Sequence, residues 1–94
     1  MISGLLPIGS VVLLKESTKR VMIVGVIQKG VENPDKLWDY VGVLFPEGYI
    51  SSDKLFLFDN SQIDTIYQIG YLDVESINFK LKADETIKQL RTKE

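Results

Sequence analysis

Apolar positions along the chain fall into five short runs with strand-like spacing, followed by one stretch with helical spacing. The first run, Ser10-Val11-Val12-Leu13-Leu14-Lys15, follows a turn at Pro7-Ile8-Gly9. Its four consecutive apolar residues predict a strand buried on both faces, and Val11 and Val12 favour strand over helix. A polar link, Glu16-Ser17-Thr18-Lys19, leads to a second strand over residues 20–28, in which Gly25 predicts a bulge or bend. A polar loop over residues 30–36, turning at Asn33-Pro34-Asp35, precedes a third strand over residues 38–45 that Pro46 stops. There Tyr40, Gly42 and Leu44 share one face and Val41, Val43 and Phe45 the other, with Gly42 a second point of close strand approach. Residues 54–58 predict a fourth strand, and Asp59-Asn60-Ser61-Gln62 a single helical turn or 3₁₀ corner. Residues 63–69 predict a fifth, with Ile63, Thr65, Tyr67 and Ile69 facing one side and Asp64, Ile66 and Gln68 the other.

After Gly70-Tyr71 the period changes. Asp73 is placed as a helix N-cap with Glu75 in the first turn, and the helix is predicted over about residues 73–90. Val74, Ile77 and Leu81 form one stripe, while Phe79, Ala83, Ile87 and Leu90 form a neighbouring one. That drift predicts a break or bend near Ala83-Asp84, and the tail beyond Leu90 is expected to fray. The elements predict a mainly β, α+β fold: a small SH3-like five-stranded antiparallel barrel, or a strongly bent open sheet, with a C-terminal α-helix. With 94 residues and no linker or repeat, residues 1–94 are read as a single domain.

Composition narrows the chemistry. The chain has no cysteine and no histidine, which removes disulfides, thiol nucleophiles, zinc fingers and imidazole bases. Eleven basic residues face 13 acidic ones, a net charge of −2, where a nucleic-acid domain normally carries a basic excess. Residues 59–75 hold Asp59, Asp64, Asp73 and Glu75 and no cation, whereas residues 80–93 are basic, which suits a solvated helix face at the negative pole of its dipole. Residues 1–14 lack a basic n-region and a small-residue cleavage site, and no run approaches a membrane span. The chain is therefore expected to be soluble and cytoplasmic.

The loop carboxylates Glu32, Asp35, Asp39 and Glu47 have no spacing that fixes them as an acid–base pair. No acidic loop has the alternation of a calcium site, and the glycines are too scattered for a phosphate cradle. An enzyme is not expected, and neither is a cofactor or metal. Most of the nine aromatic residues are needed for the core. Trp38, which follows a charged loop, and Tyr49, which follows the Pro46-Glu47-Gly48 turn, are the candidates for a protein-binding surface. Lys15, Lys19, Arg20, Lys29 and Lys36 gathered around Trp38 would make the alternative, a nucleic-acid-binding small barrel.

Three segments carry a family resemblance. They are Leu5-Leu6-Pro7-Ile8-Gly9-Ser10-Val11-Val12-Leu13-Leu14-Lys15, Arg20-Val21-Met22-Ile23-Val24-Gly25, and Asp39-Tyr40-Val41-Gly42-Val43-Leu44-Phe45-Pro46-Glu47-Gly48. Together with the stretch over residues 63–73, they resemble a small uncharacterised Firmicutes domain family encoded beside LXG-type toxins in type VII secretion loci of Gram-positive bacteria. The resemblance implies a cytoplasmic accessory protein, an adaptor or chaperone whose partner is an LXG-type toxin or a secretion component. A toxin immunity protein is the alternative it leaves, and a homodimer formed through an open sheet edge also fits. The family supplies no functional residues to carry over.

Overall fold

Residues 4–30 and 34–92 are described by a computed structural model. They form strands β1 (Val11–Leu14), β2 (Val21–Lys29), β3 (Leu37–Leu44), β4 (Phe56–Phe58) and β5 (Ile63–Gln68), then helix α1 (Val74–Thr92). All pairings are antiparallel, in the order β4-β3-β2-β1-β5. The first four strands make a meander, and β5 returns to the free edge of β1. The expected barrel closure is not found: among the described residues β4 and β5 stay apart, and the sheet is open. β4 has only three residues, which leaves too short an edge to seal against β5. The polar link in residues 59–62 contains the expected 3₁₀ turn, at Asn60–Gln62.

Gly25 marks a register shift between β2 and β3, as its place in an apolar run predicts. At Gly42, a side chain would press on the Met22 carbonyl oxygen at 3.0 Å, so β3 crosses β2 closely there. The alternation predicted for the fifth strand does not survive. Pairing with β1 skips Asp64 and Tyr67, two irregularities within six residues. Each extra residue resets which side chain faces inward, and only Ile63 of β5 packs on the core.

Val12, Ile23, Tyr40 and Phe58 are the centre of the core, with the Tyr40 and Phe58 rings 5.3 Å apart at a tilt of 40°. Leu5 and Leu6 close it from one side, and Ala83 and Ile87 of α1 lie over them. Asp73 caps α1 as predicted: its Oδ1 accepts from Ser76 N–H at 2.8 Å, and Ser76 Oγ accepts from Asp73 N–H at 2.7 Å. The hydrogen bond from Ser76 N–H holds the Asp73 carboxyl below the usual carboxylate range.

α1 is one continuous helix through Thr92, without the predicted break at Ala83-Asp84. The first stripe, Val74, Ile77 and Leu81, faces solvent; of the second, Ala83 and Ile87 are buried but Phe79 and Leu90 are exposed. Asp84 holds the helix in place at the expected break, accepting from Leu5 N–H at 2.8 Å and pairing with Lys80 at 2.7 Å. The helix continues past Leu90 to Thr92, with Arg91 anchored to Asp39, while Lys93 and Glu94 of the expected frayed tail lie outside the described residues.

Gly70 locks the N-terminal segment to the end of β5. Its N–H donates to Ser10 Oγ at 3.0 Å, and that hydroxyl, fully buried, donates to the Pro7 carbonyl at 2.8 Å. A Cβ on Gly70 would collide with the Ile8 carbonyl oxygen, a backbone atom that cannot rotate away. Gly70→Ala is therefore expected to destabilise the fold by about 1–3 kcal/mol, the usual cost of overpacking. Urea unfolding measures it, and a change below about 0.5 kcal/mol would contradict the close crossing.

Candidate functional site

A cleft of about 720 Å³ lies between β3, the Asn60–Gln62 turn and the C-terminal half of α1. Asp39 enters it from an otherwise apolar strand and is buried. A charge at such a position needs partners, and it has them. Asp39 Oδ2 accepts from Asn60 N–H at 2.8 Å, and its Oδ1 pairs with Arg91 Nη1 at 2.9 Å. Asp59 returns the contact: its Oδ1 accepts from Asp39 N–H at 2.9 Å, and its Oδ2 from Lys36 Nζ at 3.3 Å. Arg91 also donates to the Leu37 carbonyl at 3.1 Å. Two carboxylates thus exchange hydrogen bonds with each other's strand ends, and one guanidinium from α1 spans both.

Beneath the cleft, the Tyr40 hydroxyl accepts from Leu6 N–H at 2.8 Å and donates to Asn60 Oδ1 at 2.5 Å. Burial pushes its pKa up to about 12, despite the opposing hydrogen bond from Leu6. Among the described residues, no buried side-chain nitrogen or oxygen lacks a partner, and no group of three acidic side chains is placed to hold a metal ion. The cleft's buried polar groups are spent on one another. Its chemistry is that of a fastening between helix and sheet.

The sequence candidates lie elsewhere and do not converge. Trp38 is half-buried near the start of β3, opposite Gln28, with Lys36 Nζ 4.4 Å from its ring centre. Pro46, Glu47, Gly48 and Tyr49 lie past the other end of β3, about 20 Å away along the strand at its usual rise. This turn follows a cis Phe45–Pro46 bond and is closed by Gly48 N–H donating to the Leu44 carbonyl at 2.7 Å. Gly48 has φ +81°, which a glycine takes without strain. Glu47 pairs with Lys19 at 2.7 Å, and the hydrogen bond from Lys19 lowers its carboxyl pKa. Tyr49 is 67% exposed, and Ile50 beside it 54%.

The carboxylate and cation candidates scatter likewise. Glu32 lies outside the described residues, Asp35 is exposed, and Asp39 and Glu47 serve different ends of β3. Lys36 sits at Trp38, whereas Arg20 covers the Phe45 ring at 5.2 Å and the Tyr67 ring at 5.6 Å near the opposite end. The sequence reading missed Arg91 and the Asp39–Asp59 exchange. The available signal was Asp39 itself, a charge in the middle of a strand whose neighbours Leu37 and Tyr40 belong in a core.

A second feature is apolar. Most exposed large hydrophobic side chains among the described residues fall within residues 66–81, including Tyr67, Tyr71, Val74, Phe79 and Leu81. At its inner margin a narrow cavity of about 70 Å³ runs between Leu6, Ile8, Tyr71, Phe79 and Ala83.

Residues 5–79 match the family described as Domain of unknown function (DUF4176). The chain belongs to this family. No curated protein and no solved structure matches it. The DUF4176 region takes in all five strands and the exposed start of α1, but ends before Ala83, Ile87 and Arg91, which fasten the helix. Among the described residues no helix is long and apolar enough to cross a membrane.

The buried phenol gives this domain a pH-sensitive element. Its folded pKa of about 12 exceeds the ordinary 10, so the folded state keeps a proton that the unfolded state loses first. The stabilisation is complete below about pH 10 and is lost as pH rises towards 12, by an amount of order 2–3 kcal/mol. Urea unfolding at stepped pH is expected to show this decline, and Tyr40→Phe is expected to remove it. An equal decline in both proteins would assign the effect to other groups.

Proposed function

We propose that this DUF4176 domain is a non-enzymatic, protein-binding accessory module. The observation that carries the reading is the contrast between its two surfaces. The buried polar groups of the cleft beside Asp39 are paired internally, while aromatic and aliphatic side chains stand unpaired at the outer turn and along α1. Contiguous exposed apolar surface on a small domain marks a place where another macromolecule docks.

The partner contact is assigned to the Pro46-Glu47-Gly48 turn and Tyr49, with Ile50 extending it. Tyrosine supplies large contact area for little lost side-chain freedom, and the Leu44–Gly48 bridge holds the turn that presents it. Trp38 belongs to a separate patch at the other end of β3. The strand order supports reading the sheet as an opened SH3-like barrel: a meander, a one-turn corner, and a last strand returning to the first. Aromatic surfaces beside loops serve peptide recognition in folds of that kind. The segment resemblance proposes the setting, a cytoplasmic adaptor or chaperone for an LXG-type toxin or a component of type VII secretion.

The test is affinity capture of the tagged protein from its own cells, followed by titration with the purified partner. Stoichiometric recovery of an LXG-type toxin or secretion component is expected, with affinity reduced about tenfold or more by Tyr49→Ala. Toxin neutralisation in cells without secretion would replace the adaptor reading with an immunity role. Recovery of nucleic acid with a steep salt dependence would replace it with the basic-surface alternative.

A further inference from the structure

Arg20 and Arg91 are the chain's two arginines, and the fold uses them in opposite ways. Arg91 is spent inside the domain, on Asp39, Asp59 and the Leu37 carbonyl. Arg20, directly before β2, is exposed, and its side chain meets no carboxylate or carbonyl among the described residues. What it meets is two rings. Its guanidinium carbon lies 5.2 Å from the Phe45 ring centre and 5.6 Å from that of Tyr67. A ring attracts a cation through its π face, so these contacts hold the group and leave its N–H donors unspent.

Each ring reaches Arg20 for a reason found in the backbone. Phe45 follows β3, and its N–H donates to the Arg20 carbonyl at 3.0 Å, which sets the two residues side by side. Tyr67 comes from β5, on the far side of β1. It is one of the two residues that the β1–β5 ladder skips, and an extra residue of this kind re-aims its side chain. The irregularity that costs β5 its alternation thus brings Tyr67, itself 55% exposed, against the guanidinium.

The neighbouring charges leave Arg20 available. Lys19 pairs with Glu47 at 2.7 Å, which occupies the acid of the adjacent turn. Asp64 of β5 accepts from Thr65 Oγ1 at 3.0 Å. Lys15, at the other side of the same β1–β2 hairpin, lies over neither ring. Arg20 is therefore an unpaired cation, oriented by two rings, at the end of the sheet that carries Tyr49.

We propose that Arg20 anchors a carboxylate of the partner protein, an Asp or Glu side chain in a segment with apolar neighbours. The inference rests on the protein-binding reading above and names the chemistry of the segment bound. A guanidinium fork matches a carboxylate with two parallel hydrogen bonds, a geometry that an ammonium cannot reproduce. Phe45 and Tyr67 keep water from part of the guanidinium, which strengthens a charge pair formed on its open side. Tyr49 and Ile50, beyond the Gly48 bridge to Leu44, offer apolar contact next to it. Phosphate is the poorer fit. It carries close to two charges and is usually met by several cations or by helix N–H groups. Here one guanidinium is unpaired, and the Glu47 carboxylate close by disfavours a polyanion.

Panning a library of random heptapeptides, capped at both ends, against the full chain tests the proposal. Retained peptides are expected to carry Asp or Glu next to an apolar residue. Replacing that acid by its amide is expected to weaken binding about tenfold or more. Arg20→Met keeps an apolar cover on both rings and removes the fork. It is expected to lose about tenfold or more in affinity for the acidic peptide, with an unchanged urea midpoint. Arg20→Lys is expected to recover only part of that loss, and Tyr67→Leu to weaken binding about threefold.

Acidic peptides bound equally by Arg20→Met would overturn the proposal and reduce Arg20 to a cover for the rings. Retention of peptides without an acid, or of none, would overturn it as well. So would tighter binding of inorganic phosphate or of a phosphopeptide, which would make the site one for phosphate. Tyr49→Ala separates this proposal from the reading it rests on. Binding that needs Tyr49 but not Arg20 would keep the turn as the contact and remove the carboxylate anchor. Binding that needs Arg20 but not Tyr49 would keep the anchor and move the contact off the turn. No retained peptide and no captured partner would remove both.

Discussion

The hydroxyl of Tyr40 ties together three parts of the chain that are distant in sequence. It takes a hydrogen bond from Leu6 in the N-terminal segment and gives one to Asn60 in the corner before β5, while its ring lies against Phe58 in the core. A phenol buried without both partners would cost several kcal/mol and would pull the core towards water. With both, the apolar ring and the polar tip are satisfied at one point. The corner is then set for Asp39 and Asp59 to exchange hydrogen bonds around it. The helix closes the arrangement through Arg91, so the sheet, the N-terminal segment and α1 share one polar fastening.

This fastening explains why an open five-stranded sheet can stand without becoming a barrel. A barrel removes its edges by joining first and last strands. Here β4 is too short to do so, and α1 covers part of the exposed core. Only a narrow band of the helix serves that purpose, and Ala83 contributes little apolar area. The N-terminal segment supplies Leu5 and Leu6 in compensation. A domain of this size has little core to spare, so each buried polar link carries a larger share of the stability than it would in a bigger protein.

Much of the chain's architecture was legible from residue patterning. Short apolar runs with strand-like spacing place all five strands, Gly25 marks the irregularity in β2, and Asp73 marks the start of the helix. What patterning misjudged has identifiable physical causes. Strict alternation in residues 63–69 ignores the extra residues Asp64 and Tyr67, which only pairing with β1 reveals. The two helical stripes look like a bend because periodicity reports apolar faces without saying which one is covered. The fastening at Asp39 was illegible because its partners lie 20 and 52 positions away in the chain. Trp38 and Tyr49 were joined as one surface because they are close in sequence, but a strand between them carries them apart.

Separation of surfaces is the consequence with most bearing on function. The turn at Pro46-Glu47-Gly48 and the exposed stripe of α1 are built from different elements, and neither uses the polar cleft. The paired Asp39, Asp59 and Arg91 act at a distance from the turn, by fixing the helix to the sheet from which the turn projects.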